Sequence, residues 1–204
     1  MPRKVLDKLT SAVGVILVVV LLVAGGLMTW GHSYVDNNVH NQLAMQQIYF
    51  PPASVWKTAT KNNTGEIQAR MIPYLQKYSG EELLTGAQAE AYADHFIAYH
   101  LAGMPFNGVY SKVSAAAMAA KPGSVAQKTD QGLETTVFQG TTLRGLLLEA
   151  YGFSMIGVVL LWGAIAAFIG AFILAILVGL GFRHAARVPE EETVLTSHGV
   201  AATA

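Results

Sequence analysis

Residues 153–182 form thirty consecutive positions without a charged side chain. An apolar run of eighteen or more residues reads as a transmembrane helix, because only a helix satisfies its own backbone in lipid. At about 1.5 Å per residue the run reaches roughly 45 Å against a hydrocarbon core of about 30 Å, so it must tilt or protrude. Within it Gly163, Ala167, Ala171, Ala175 and Gly179 recur at four-residue steps, a helix-packing ladder that lets another backbone approach closely. Each step turns about 40° around the axis, so a straight partner meets two or three rungs. The spacing favours a right-handed crossing.

A second apolar run covers residues 9–30, preceded by Arg3, Lys4 and Lys8. Its length exceeds that of a secretory h-region, and no A-x-A cleavage site follows Trp30, so the sequence predicts a retained signal anchor. Arg183, His184 and Arg187 follow the later run. Basic residues flanking both runs on their distal sides place both termini in the cytoplasm and residues 31–152 outside. Trp30 and Tyr151 suit the aromatic belt, and Trp162 lies deeper, where it is expected to face protein. These two runs account for a chain that is 52% hydrophobic and only 13% charged. Thirteen basic and thirteen acidic residues give no net charge, and with it no electrostatic footprint for nucleic acid. Cysteine is absent, which excludes disulfides, thiolate catalysis and cysteine-ligated metals.

Between the runs the pattern is helical. Val35, Val39, Leu43 and Ala44 continue the first helix outward, and Pro51-Pro52 forces Phe50 to an extended conformation. Asn62-Asn63-Thr64 matches a glycosylation sequon. A short helix is predicted over residues 66–78, broken at Pro73. Thr85 with Gln88 is a capping-box pattern opening a helix over residues 86–102, whose apolar face includes Ala89, Ala93, Phe96, Ile97, His100 and Leu101. Gly103, Pro105 and Gly108 end it. Another helix is expected over residues 109–120, closed by Lys121-Pro122-Gly123. From Ser124 the pattern weakens until Thr141, where a helix should run straight into the second span. The tail from Val188, with Glu190-Glu191-Glu192, has no periodicity and reads as disordered.

Chemistry-bearing residues form two clusters. His32, Asp36 and His40 are spaced by four and four, and two histidines with a carboxylate match the ligand types of non-haem iron sites. On one helix, however, the two rings would stand about 12 Å apart along the axis and about 80° apart around it, too far for one ion. Asp94, His95 and His100 form the second cluster. The spacing of five turns the two rings about 140° from each other, unlike the i, i+4 pair of a zinc-binding helix. Core packing suits His100, and His95 with Tyr99, one turn on, makes a polar pair. No metal or catalytic constellation follows from these spacings, and no phosphate-binding glycine loop or dinucleotide fingerprint is present. Gly25-Gly26, inside the first span, marks close helix packing or flexibility. Arg144 and Glu149 precede the second span as interfacial anchors or, if buried against a partner, as charges that fix orientation.

Three stretches carry a resemblance: Thr29-Trp30-Gly31-His32-Ser33-Tyr34-Val35 with Asn38-Val39-His40-Asn41-Gln42-Leu43; Thr85-Gly86-Ala87-Gln88-Ala89-Glu90-Ala91-Tyr92-Ala93-Asp94-His95-Phe96-Ile97-Ala98; and Thr142-Leu143-Arg144-Gly145-Leu146-Leu147-Leu148. Together they resemble small two-span membrane proteins of actinobacteria that often bear the label "aromatic ring-opening dioxygenase". The resemblance covers most of the chain. Its label implies a non-haem iron oxygenase, for which His32, Asp36, His40, Asp94, His95 and His100 are the candidate ligands.

The sequence therefore predicts an all-α membrane protein whose two transmembrane helices flank a small, mostly helical extracytoplasmic domain. Its parts are a cytoplasmic start (1–8), a first span (9–30), the exported domain (31–152), a second span (153–182) and a cytoplasmic tail (183–204). The expected function is that of a non-catalytic interaction or accessory subunit in the envelope, without cofactor. Its expected partners are the lipid bilayer and either another membrane protein or a second copy. An iron-dependent ring-opening dioxygenase is the alternative, and a ligand-binding sensor module a further one.

Overall fold

The computed structural model describes residues 3–59, 61 and 65–189. The sequon at Asn62-Asn63-Thr64 and the acidic Glu190-Glu191-Glu192 lie outside the described residues. The described residues are helical and contain no strand; an isolated antiparallel bridge joins Tyr49 and Glu82. Two helices, α1 (Arg3–Ala44) and α6 (Val125–Ala185), are long and apolar enough to cross a membrane, with only 11% of their most apolar windows buried. Between them come the single turn α2 (Ile72–Leu75), α3 (Gly86–Tyr92), α4 (Ala98–Ala102) and α5 (Tyr110–Ala119). Shorter 3-10 turns join these elements.

Neither long helix contains a proline within its bounds. The α1 helix ends in a turn where Gln47 adopts φ 50°, a left-handed stop of the kind that commonly closes helices. The α6 helix begins sixteen residues before the predicted start at Thr141. Ser124 explains this: its Oγ accepts from the Gln127 backbone N–H at 3.1 Å, and the Gln127 side chain accepts from the Gly123 N–H at 2.7 Å. This reciprocal cap satisfies donors that the first turn would otherwise leave open.

The chain divides into two compact units. One comprises Met1–His32 and Val158–Ala204, and its described helical residues, on α1 and α6, form an antiparallel pair. Along α1 the less exposed positions include Asp7, Ser11, Gly14, Val18, Leu21, Gly25 and Met28, alternating steps of four and three. Along α6 they include Leu160, Ala164, Ala167, Ala171, Leu174, Val178 and Gly181 in the same alternation. That period is the one a left-handed seam uses, and it is shorter on average than the ladder's four-residue step. The ladder accordingly drifts off the contact. Gly163 and Ala167 are half-buried and Ala171 is 1% exposed, whereas Ala175 and Gly179 face outward.

Close approach in this unit rests on glycines from both helices. A Cβ on Gly25 would meet the Phe168 ring at 3.0 Å, one on Gly163 the Met28 sulfur at 2.8 Å, and one on Gly181 the Ser11 Oγ at 2.6 Å. Gly14 sits against Val178, and Gly31 and Gly170 lie close to Leu160 and Leu21. Gly26 has open space around it, so of the Gly25-Gly26 pair only the first serves packing. Trp162 is 65% exposed and faces away from the helix pair. The helix turn carrying it gives the seam to Gly163 and Ala164 instead.

The other unit, Ser33–Gly157, has a core of its own. Phe50, Met71, Leu75, Leu83, Ala89 and Ala93 are essentially inaccessible to solvent. Phe50 is held by backbone bonds as well as packing: its N–H donates to Glu81 O at 2.9 Å, and Leu83 N–H donates to Ile48 O at 2.8 Å. Its ring meets Tyr78 at 5.0 Å and Tyr92 edge-on at 5.5 Å. Trp56 is buried with its indole N–H donating to Ser79 Oγ at 2.7 Å, the partner a buried indole requires. The predicted helix over 66–78 is a succession of one-turn pieces, Ala69–Met71, Ile72–Leu75 and Gln76–Tyr78. Pro73 sits in the first turn of α2, where its missing N–H costs nothing, and so does not break it.

Candidate functional site

Asp94 and His95 of the second cluster lie on a π-helical turn, Ala93–Ile97, between α3 and α4, and His100 lies on α4. Thr85 caps α3 as its sequence predicts, in a complete capping box. Gln88, 7% exposed, does more than close that box. Its Oε1 accepts from the N–H groups of Leu84 (2.8 Å) and Thr85 (3.0 Å), and its amide donates to Glu81 at 2.9 Å. The helix start is thereby tied to the loop that carries Phe50's partner. α3 also approaches α6 closely: a Cβ on Gly86 would lie 3.3 Å from Tyr151 Cα, and Gly86 touches the Ser154 side chain.

π-helical turns insert one residue into an α-helix and recur at functional sites. Here the cluster's polar side chains, on the turn and on α4, go to structural partners. Asp94 accepts from Arg144 Nη2 at 2.6 Å, joining a candidate metal ligand to a candidate interface residue fifty positions away. The His95 ring stacks on Tyr74 at 3.5 Å with planes 6° apart, and its Nδ1 shares a hydrogen bond with the Tyr99 hydroxyl at 3.2 Å. His100 Nδ1 donates to the Phe96 carbonyl at 2.7 Å, since a carbonyl oxygen can only accept. Arg70 extends the cluster: it lies 4.1 Å over the Tyr99 ring and donates to the Tyr99 carbonyl at 3.1 Å and to Gln68 at 2.7 Å. Tyr74 and Arg70 were not legible as members, because no spacing rule joins residues twenty or more positions apart.

The electrostatics are mild. The Asp94–Arg144 side chains are 34% and 38% exposed, so water screens the pair and its net worth is about 0–1 kcal/mol. Arg144 Nε is buried without a hydrogen-bond partner, which holds the guanidinium in place through packing and the single Asp94 bond. The Tyr92 hydroxyl is pushed above the usual tyrosine range, first by burial and then by the Glu66 carboxylate.

The first cluster is not assembled further. Asp36 and His40 are exposed on α1, and His32 is half-buried on the same helix. Among the described residues no three histidine, aspartate or glutamate side chains come close enough to share a metal ion. Glu149, the other interface candidate, stands at the edge of a groove of about 360 Å³. Its buried floor is Val39, Leu43 and Leu147, and its walls include Leu143, Leu146 and Phe153. Comparison with protein-family models, with curated proteins and with solved structures found no match.

Proposed function

We propose that this chain is a non-catalytic integral membrane protein of the cell envelope. In this reading α1 and α6 each cross the bilayer, both termini are cytoplasmic, and the Ser33–Gly157 unit lies outside and docks a membrane-complex partner. One observation carries the interaction role. Around α5 and the start of α6 the unit shows solvent a series of large apolar side chains: Phe106 (50% exposed), Tyr110 (42%), Met118 (77%), Val125 (83%) and Phe138 (56%). The rings of Tyr110 and Phe138 lie 5.8 Å apart. Where such side chains adjoin, as at Tyr110 and Phe138, exposed apolar surface on a small unit marks a place of association. The internal bonding of Asp94, His95 and His100 supports the same reading, since those side chains hold the fold together.

Site-specific photo-cross-linking from position 118 in native membranes tests it. The expected result is one membrane protein captured there and lost when Phe138→Asp is introduced. A monodisperse monomer in mild detergent, with nothing captured, would overturn the reading. Stoichiometric iron together with oxygen uptake on a catechol would replace it with the ring-opening alternative.

A further inference from the structure

The groove beside Glu149 lies wholly within the Ser33–Gly157 unit, between the outer part of α1 and α6 residues 143–153. Its floor is dry: Leu147, Leu43 and Val39 are 2%, 4% and 6% exposed. One rim is apolar, with Leu146 at 58% and Phe153 at 49% exposure. The opposite rim is a row of amides, Asn38 and Gln42 on α1 and Gln46 in the turn after it, all exposed. Glu149 is the one charged side chain in the lining. We propose that this groove holds a hydrocarbon chain of an amine-bearing membrane phospholipid.

Three features select that occupant. The first is size. A volume of about 360 Å³ lies at the lower end of the range for small-molecule sites, roughly 300–1,000 Å³. One turn of a partner helix, about 10–12 Å across with its side chains, occupies roughly 500 Å³, more than the groove holds. The second is continuity. At Phe153 the apolar rim runs into Ile156, one turn on and 51% exposed, at the start of the charge-free stretch. A chain whose head group sits at Glu149 can therefore run past Phe153 to Ile156, roughly 10 Å along α6 at 1.5 Å per residue. The third is charge. Arg144 is committed to Asp94, so the charge offered to a head group is the Glu149 carboxylate, flanked by amide donors and acceptors. That set suits an ammonium and repels an anionic head.

The inference rests on the membrane reading above, and its test separates the two. The full chain is placed in nanodiscs containing phosphatidylethanolamine with a diazirine near the ester end of one acyl chain, irradiated, and mapped by peptide mass spectrometry. Labels are expected on α6 residues 146–153 as well as on the spans. Leu146→Asn, at an exposed position, should remove most groove labelling while span labelling and helical content stay unchanged. Replacing the probe with its phosphatidylglycerol counterpart should lower groove labelling about two- to fivefold, the range for a screened ion pair, and Glu149→Gln should abolish that difference. Labelled spans with an unlabelled groove overturn the inference and leave the membrane reading standing. Unlabelled spans overturn both. Equal labelling by the two lipids overturns the amine preference, and a protein helix cross-linked to Leu146 overturns the lipid itself.

Discussion

The sulfur of Met28 lies over Gly163, 2.8 Å from where a Cβ on that glycine would stand. Met28 is flexible and can yield. Val178, which occupies the equivalent place against Gly14, is stiff at χ1 and cannot. Gly14→Ala is therefore expected to loosen the helix pair by about 1–3 kcal/mol, the range for overpacking, and Gly163→Ala by less. Gly179→Ala, with nothing within 4 Å, should be neutral or gain up to about 1 kcal/mol of helix propensity. Thermal unfolding in one detergent, followed by circular dichroism, gives the order; equal losses at positions 14 and 179 would refute it.

Gln88 satisfies two backbone donors and holds Glu81. Gln88→Ala should cost about 1–3 kcal/mol, since it removes the acceptor of the Leu84 and Thr85 N–H groups at a part-buried site and the amide that holds Glu81. Thr85→Ala removes only the cap oxygen and should cost about 1 kcal/mol. Urea titration of the two variants distinguishes them, and a Thr85 loss larger than the Gln88 loss would contradict the bonding described.

Tyr92 sets an alkaline limit. Burial and Glu66 raise its folded pKa above the ordinary value of about 10. Below pH 10 both states hold the proton and stability is unaffected by it. Above pH 10 the unfolded chain releases the proton first, so it binds fewer protons than the folded chain and stability falls as pH rises toward the folded value. Urea midpoints measured from pH 8 to 11 should decline more steeply for the native chain than for Tyr92→Phe. Parallel curves would place the alkaline sensitivity elsewhere.

Asp94→Asn keeps the shape of the Arg144 contact and loses its charge. The pair is about one-third exposed, so the expected loss is at most about 1 kcal/mol and shrinks as salt is raised. Asp94→Leu should cost more, because it leaves a guanidinium whose Nε is already without a partner. Melting temperatures at low and high ionic strength test both statements.

Much of this architecture was written in local sequence. Charge-free runs announce the two long helices, the Thr85–Gln88 box announces α3, and Pro51-Pro52 announces a non-helical stretch, with Pro52 extended. One local signal was legible but unused: Ser124-Val125-Ala126-Gln127 has the S-x-x-Q form of a helix start, and it opens α6 sixteen residues before the apolar periodicity becomes strong. What local pattern cannot supply is partnership at a distance. Asp94 and His95 look like ligands on one helix because their spacing says nothing of Arg144 or Tyr74. Likewise the four-step ladder is visible in α6 alone, whereas the true seam depends on where α1 carries its own glycines.

The helix-pair seam gives these glycines a further meaning. Gly14 meets Val178, Gly25 meets Phe168 and Gly31 meets Leu160, while Leu21 meets Gly170, Met28 meets Gly163 and Ser11 meets Gly181. Each helix is in turn the wall and the recess for the other. Under mutation, neither member of such a pair is free to grow unless its counterpart shrinks. Related sequences should therefore vary at these positions in exchanged sizes, a glycine appearing on α1 where a leucine or phenylalanine appears on α6 and the reverse. A collection of homologues would carry the antiparallel register of the two helices as six correlated pairs.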